Sequence, residues 1–134
     1  MCVLKIHSET TSFKKFCETT KIPVFSVTEK GELRGKTRVS ETFVVSFDVS
    51  DAEWDEFTEQ VNDAINFLIK NFDELKQLIT KVPDSDGYLD FPIYSRLNDN
   101  IVNQNDHLPK ELISLAGKLN LGIEMAMYSA DAFE

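Results

Sequence analysis

Cysteine and histidine are scarce in this chain, and so is positive charge. Two cysteines, Cys2 and Cys17, and two histidines, His7 and His107, stand among 134 residues. Secreted domains that rely on disulfides carry denser, even-numbered cysteine frameworks, so two thiols at apolar positions point to a reducing, cytoplasmic setting. Cys and His this few and this scattered provide no zinc spacing, and neither a metal nor a cofactor is expected. No apolar run approaches the roughly 18 residues of a membrane span, and the first eight residues lack the apolar stretch of a signal peptide. Nucleophile elbows, P-loops, H-E-x-x-H pairs and G-x-G-x-x-G turns are all missing, which disfavours an enzyme. Fourteen basic side chains face 23 acidic ones, for a net charge of −9. Non-specific nucleic-acid binding needs a basic surface and is excluded by that balance.

What the chain does have is apolar bulk. Hydrophobic residues make up 42% and ten are Phe, too many for a disordered polymer. The length suits one domain spanning residues 1–134, with residues 129–134 as a frayed tail. A chain of this size buries about two-thirds of its unfolded surface, enough for a core without staples. The charge is unevenly divided. Residues 1–38 hold eight bases and four acids, or +4, which leaves −13 for the rest.

Local patterns give the element order. Cys2, Leu4 and Ile6 alternate with Lys5 and His7 as in a half-buried strand. Hydroxyls at Thr10, Thr11 and Ser12 precede Phe13, Phe16 and Cys17, which share a short helix face. Pro23 ends that helix, Val24 to Val27 form a brief strand, and residues 29–36 form a charged loop with two glycines. Val39, Phe43, Val45, Phe47 and Val49 fall on one face of a longer strand.

Ser50 and Glu53 have the spacing of a capping box, with Val49 and Trp54 as its hydrophobic staple. The stripe Trp54, Phe57, Val61, Ala64, Ile65, Leu68 then predicts a helix, and a second, offset stripe from Phe72 to Val82 predicts a break near Asn71. Leu89, Phe91 and Ile93 belong to a strand that Pro92, lacking an N–H, should place at a sheet edge or on a bulge. Pro109 opens a helix carrying Leu112, Leu115, Ala116 and Leu119, and a strand with Leu121, Ile123, Met125 and Met127 inward closes the chain. The expected fold is α+β: an antiparallel or mixed sheet of about five strands, helices mainly on one face. Its core would be ferredoxin-like (split β-α-β), with an added helix–strand pair.

These segments carry a family resemblance. Ile22-Pro23, the loop Gly31-Glu32-Leu33-Arg34-Gly35, the Phe/Val strand before an acidic-started helix, and residues 108–128 together resemble an uncharacterised bacterial family, domain of unknown function 4279. The likeness covers nearly the whole chain, departing at Ser8-Glu9-Thr10 where the family pattern has a Gly/Asp-rich turn. It implies a compact bacterial cytosolic domain and supplies no catalytic residues. The small, acidic, single-domain habit is also similar to immunity proteins of bacterial toxin systems.

Candidate chemistry follows from charge and spacing. Asp48, Asp51, Glu53, Asp55, Glu56, Glu59 and Asp63 form an acidic run, and no base occurs between Val39 and Ile69. The helix dipole accounts for acids in a first helical turn but not for those beyond it. Asp51, Asp55, Glu56, Glu59 and Asp63, with Asn98, Asp99, Asn103 and Asp106 of the amide-rich loop, are therefore the candidate contact surface for a basic protein partner. The leading expectation is an immunity-type inhibitor of a basic toxin. The alternative is a small-molecule or anion-binding protein with weak hydrolase activity, using Lys30, Arg34, Lys36, Arg38 and His107. Asp106 adjoins His107 and could orient it as a general base. Cys17 reads as a small core residue, and the oxygens of residues 98–106 do not match an EF-hand. A monomer or homodimer is expected, the homodimer pairing through the strand that carries Pro92.

Overall fold

The computed structural model describes residues 1–132, so of the tail expected at 129–134, residues 133 and 134 lie outside the described residues. Strand β1 (Cys2–Ser8) realises the alternation at the N-terminus, with Cys2, Leu4 and Ile6 fully buried. Helix α1 (Lys14–Thr19) starts where the Ser12 hydroxyl accepts the Lys14 N–H at 3.2 Å, and Phe13 is buried just before it. β2 (Val24–Thr28), a two-residue pair β3 (Leu33–Arg34) and β4 (Arg38–Val39), and β5 (Phe43–Ser50) follow. The next pair, α2 (Phe57–Lys70) and α3 (Phe72–Lys81), breaks at Asn71, as the offset stripes require. β6 (Asp86–Tyr94), α4 (Lys110–Lys118) and β7 (Leu121–Tyr128) complete the chain.

The five long strands form one mixed sheet in the order β2-β5-β1-β6-β7, and β3 and β4 form a separate hairpin. β1 lies antiparallel to both β5 and β6, β2 is antiparallel to β5, and only β7 pairs parallel, with β6. The parallel pair is joined by a helix because a hairpin cannot connect parallel strands. The protein is thus a mixed α+β molecule with, among the described residues, four helices.

All the helices set their apolar residues against one face of the sheet. Leu4, Ile6, Val45, Phe47, Leu89 and Phe91 from the strands meet Val61, Ala64, Leu68, Leu75, Leu112 and Ala116 in a single cluster. Each fully buried Leu or Phe contributes on the order of 1.5–3 kcal/mol. Gly87 makes room for this packing, since a Cβ there would stand 2.7 Å from Leu121 Cδ2 and 3.2 Å from Ile6 Cγ1 and would push the Leu121 side chain aside. The alternate residues, among them Lys5, His7, Ser46, Tyr88 and Asp90, occupy the opposite face, where Lys5 Nζ lies 3.6 Å from Asp90 Oδ2.

Five expectations are corrected. β6 is internal rather than at an edge. Pro92 fits because β1 pairs with β6 only as far as Asp90, and the Pro92 carbonyl beyond that point accepts from Gln60 Nε2 at 2.9 Å. The capping box at Ser50 does not form, because α2 starts at Phe57 and the Ser50 hydroxyl instead donates to Asp63 at 2.6 Å. Trp54 therefore leaves the helical stripe and packs against Tyr94 and Tyr128, with ring centroids 5.2 and 4.6 Å away. Val39 belongs to the separate hairpin and Met127 is 52% exposed, since β7 is an edge strand along its whole length.

Candidate functional site

The acidic run lies mostly in an irregular bridge between β5 and α2, held by several contacts, among them the Met1 ammonium group, which donates to the Ala52 carbonyl at 2.6 Å. The Glu53 N–H donates to Glu56 Oε1 at 3.1 Å, the Tyr94 N–H donates to the Trp54 carbonyl at 3.1 Å, and buried Gln60 donates to the Glu53 carbonyl at 3.0 Å. Asp51, Asp55, Glu56 and Glu59 are exposed, and among the described residues none of them pairs with a base within 4.0 Å. Only Glu59 stands in the first turn of α2, where the dipole favours it. Asp63 departs from this group, being half-buried and occupied by the Ser50 hydroxyl.

The loop after β6 reaches the same end of α2. Asp55, Val61 and Asn62 line one wall of a groove of about 550 Å³, with Arg96, Asp106 and His107 on the other. Asp106 does not orient His107, because its carboxylate is occupied by Arg96 Nη2 at 3.0 Å and Gln104 Nε2 at 2.8 Å. That ion pair removes Asp106 from the free acidic surface. Asp99 and Asn103 are exposed, whereas Asn98 Oδ1 accepts the Asn100 and Ile101 N–H groups at 2.8 Å each and so builds its own turn.

The basic candidates separate. Lys30 donates to the Glu9 carbonyl at 3.1 Å, Lys36 is exposed between β3 and β4, and His107 lies in the α2 groove. Arg34 and Arg38 come together as directly opposed partners across the hairpin and line a cleft of about 670 Å³ that also includes His7. His7 lines a second cleft of about 410 Å³ as well, with Glu9, Thr42, Asp84, Asp86 and Tyr88.

Sequence reasoning missed this cluster around His7. Its members come from β1, β6 and the segment before β5, and only strand register brings them together, with His7 directly opposite Asp86. The His7 ring stacks on Tyr88 with centroids 5.9 Å apart and planes 9° off parallel, and its Nδ1 is 3.2 Å from the Thr42 hydroxyl oxygen. Burial holds the His7 pKa below the usual histidine value; Asp86 opposes that, and Lys5 and Arg34 reinforce it. Burial likewise raises the Tyr88 hydroxyl above its ordinary value. At Asp84 desolvation is the largest single influence and raises the pKa, but it is outweighed by hydrogen bonds that lower it, among them those from the Ser8 hydroxyl and the Glu9 N–H at 2.9 and 3.0 Å. The Cys2 thiol is raised strongly by burial and Cys17 more moderately, so neither is an activated nucleophile.

Fold and surface together define a small α+β domain with an acidic end and a polar open sheet face. The chain belongs to the family described as Domain of unknown function (DUF4279), whose model matches residues 1–130. No curated protein and no solved structure matches it. Among the described residues no helix is long and apolar enough to cross a membrane, and no group of three or more His, Cys, Asp or Glu side chains is arranged to hold a metal ion.

Proposed function

We propose that the protein is a non-catalytic binding domain whose acidic end engages a basic protein, in the manner of an immunity-type inhibitor covering a basic toxin. The observation that carries this reading is the set of exposed carboxylates on Asp51, Asp55, Glu56 and Glu59, which no base among the described residues neutralises. The Glu53 N–H accounts for Glu56 and the α2 dipole for Glu59, whereas among the described residues no hydrogen bond or ion pair engages the Asp51 or Asp55 carboxylate. Beside them, the α2 groove has Phe57, Val61 and Pro109 in its lining and Asp55 at its wall. Such a groove suits a Lys or Arg side chain, whose aliphatic stem packs on apolar surface while its charged head meets a carboxylate. Charge arranged this way speeds encounter and sets partner choice more than it adds affinity.

The test is affinity capture from the native host with the wild-type chain and with the Asp55→Lys, Glu59→Lys double variant. The wild type is expected to retain a basic protein whose binding weakens as salt is added. The variant is expected to lose both the binding and its salt dependence while its melting temperature at ~0.15 M salt stays nearly unchanged, because both positions are exposed and their repulsion is screened there. Equal retention by the two chains refutes the reading.

A further inference from the structure

A second site stands apart from the acidic end, on the sheet face that carries no helix. Arg34 and Arg38 are directly opposed across a two-residue ladder, a placement that sets two like charges side by side. Opposed like charges destabilise a strand pair unless something neutralises them. Among the described residues neither guanidinium has a carboxylate within 4.0 Å. Both arginines line the cleft beside His7, as does Val39, while Leu33 opposite Val39 is 69% exposed and lies outside its lining.

Glu41 also lines this cleft, so two arginines and one carboxylate leave it net positive, whereas across His7 the charged side chains are all acidic. The adjoining cleft carries Glu9 and Asp86, and no base among the described residues pairs with either carboxylate. Asp84 in the same cleft is already occupied by Ser8 and the Glu9 N–H and serves to hold the wall. His7, fixed by Tyr88 on its face and Thr42 at Nδ1, forms the seam between the two halves. Its Nε2 has no hydrogen-bond partner among the described residues.

The geometry points to a binding site for a small zwitterion of the amino-acid or short-peptide class, its carboxylate on Arg34 and Arg38 and its ammonium group toward Asp86 and Glu9. Paired guanidinium groups match a carboxylate by parallel, charge-assisted hydrogen bonds. His7, which lines both clefts, supplies its Nε2 between the two ends, and Tyr88 lines the acidic half. A simple anion would use only half of this arrangement and would meet the carboxylates of the other half.

The experiment follows the His7 ring resonances by NMR while the full chain is titrated with free amino acids and dipeptides, their N-acetyl and C-amide derivatives, and inorganic phosphate. At least one free-ended compound is expected to shift the ring signals saturably. Acetylation and amidation should each weaken binding by about ten-fold or more, as loss of a charged hydrogen-bond partner requires. In the Arg34→Ala, Arg38→Ala variant the penalty for amidation should vanish while that for acetylation remains, and Asp86→Asn should reduce the penalty for acetylation. Lys36→Ala should change nothing. Silence of the His7 signals across the panel overturns the proposal, and so does phosphate binding as well as any free-ended compound. Neither result bears on the acidic end, whose residues are not in this site.

Discussion

His7 shows how one side chain can couple stability to pH. Burial lowers its pKa in the folded protein, with Lys5 and Arg34 adding to the effect and Asp86 opposing it; Thr42 and Tyr88 touch the ring without adding charge. The unfolded chain therefore binds a proton near the ordinary value of 6.5, while the folded chain still resists it. Where the unfolded state binds more protons, stability rises with pH. The His7 contribution is thus fully present above pH 6.5 and is lost as pH falls through the lower folded value. His7→Gln, which keeps a polar side chain without titration, should flatten the slope of unfolding free energy below pH 6.5 in urea titrations at a series of pH values. An unchanged slope would show that the ring titrates freely in the folded state. His7 was visible in the sequence as the polar side of a strand. Its neighbours were not, because Thr42 is 35 residues away and Asp86 meets it only through the antiparallel register of β1 and β6.

At the scale of elements, the bridge between β5 and α2 matters most, because it presents Asp51, Asp55 and Glu56. Gln60 is fully buried and donates from one Nε2 to the Glu53 and Pro92 carbonyls, tying the bridge to β6. Gln60→Ala removes two hydrogen bonds to carbonyls, together with a buried Oε1 that has no partner among the described residues, and should cost about 1–3 kcal/mol in chemical denaturation, the net worth of two such bonds. Hydrogen exchange should rise at the Tyr94 amide, which bonds to Trp54 in that bridge. Loss of stability without local exchange would separate Gln60 from the bridge. The same region shows where local signals mislead. The Ser50–Glu53 spacing satisfies a capping box, but the Ser50 hydroxyl donates to Asp63 and the helix begins at Phe57. A local cap contributes only about 1 kcal/mol, and Trp54 gains more by stacking on Tyr94 and Tyr128. The break at Asn71 was legible, because two apolar stripes of different phase cannot face one core from a straight helix.

Across the whole molecule, net charge and its distribution set the response to salt. At −9 the folded state repels itself, most strongly where Asp51, Asp55, Glu56 and Glu59 crowd together. Raising ionic strength from ~0.01 M to ~0.15 M shortens the Debye length from about 30 Å to about 8 Å, and the melting temperature should rise with it. The Asp55→Lys, Glu59→Lys variant adds two charges at each position, moving −9 to −5, and should show a smaller rise in differential scanning fluorimetry. A wild-type midpoint that falls with salt would mean that attractive pairs dominate.

The sequence by itself determined the α+β class, most of the strands and helices, and the acidic and basic segments, because periodicity and charge are properties of neighbours along the chain. Only the tertiary structure decided that β6 is internal, that Asp106 is spent on Arg96, and that Arg34, Arg38 and Asp86 surround His7. Strand order and register bring residues dozens of positions apart onto one face, and no local pattern encodes which of them will meet.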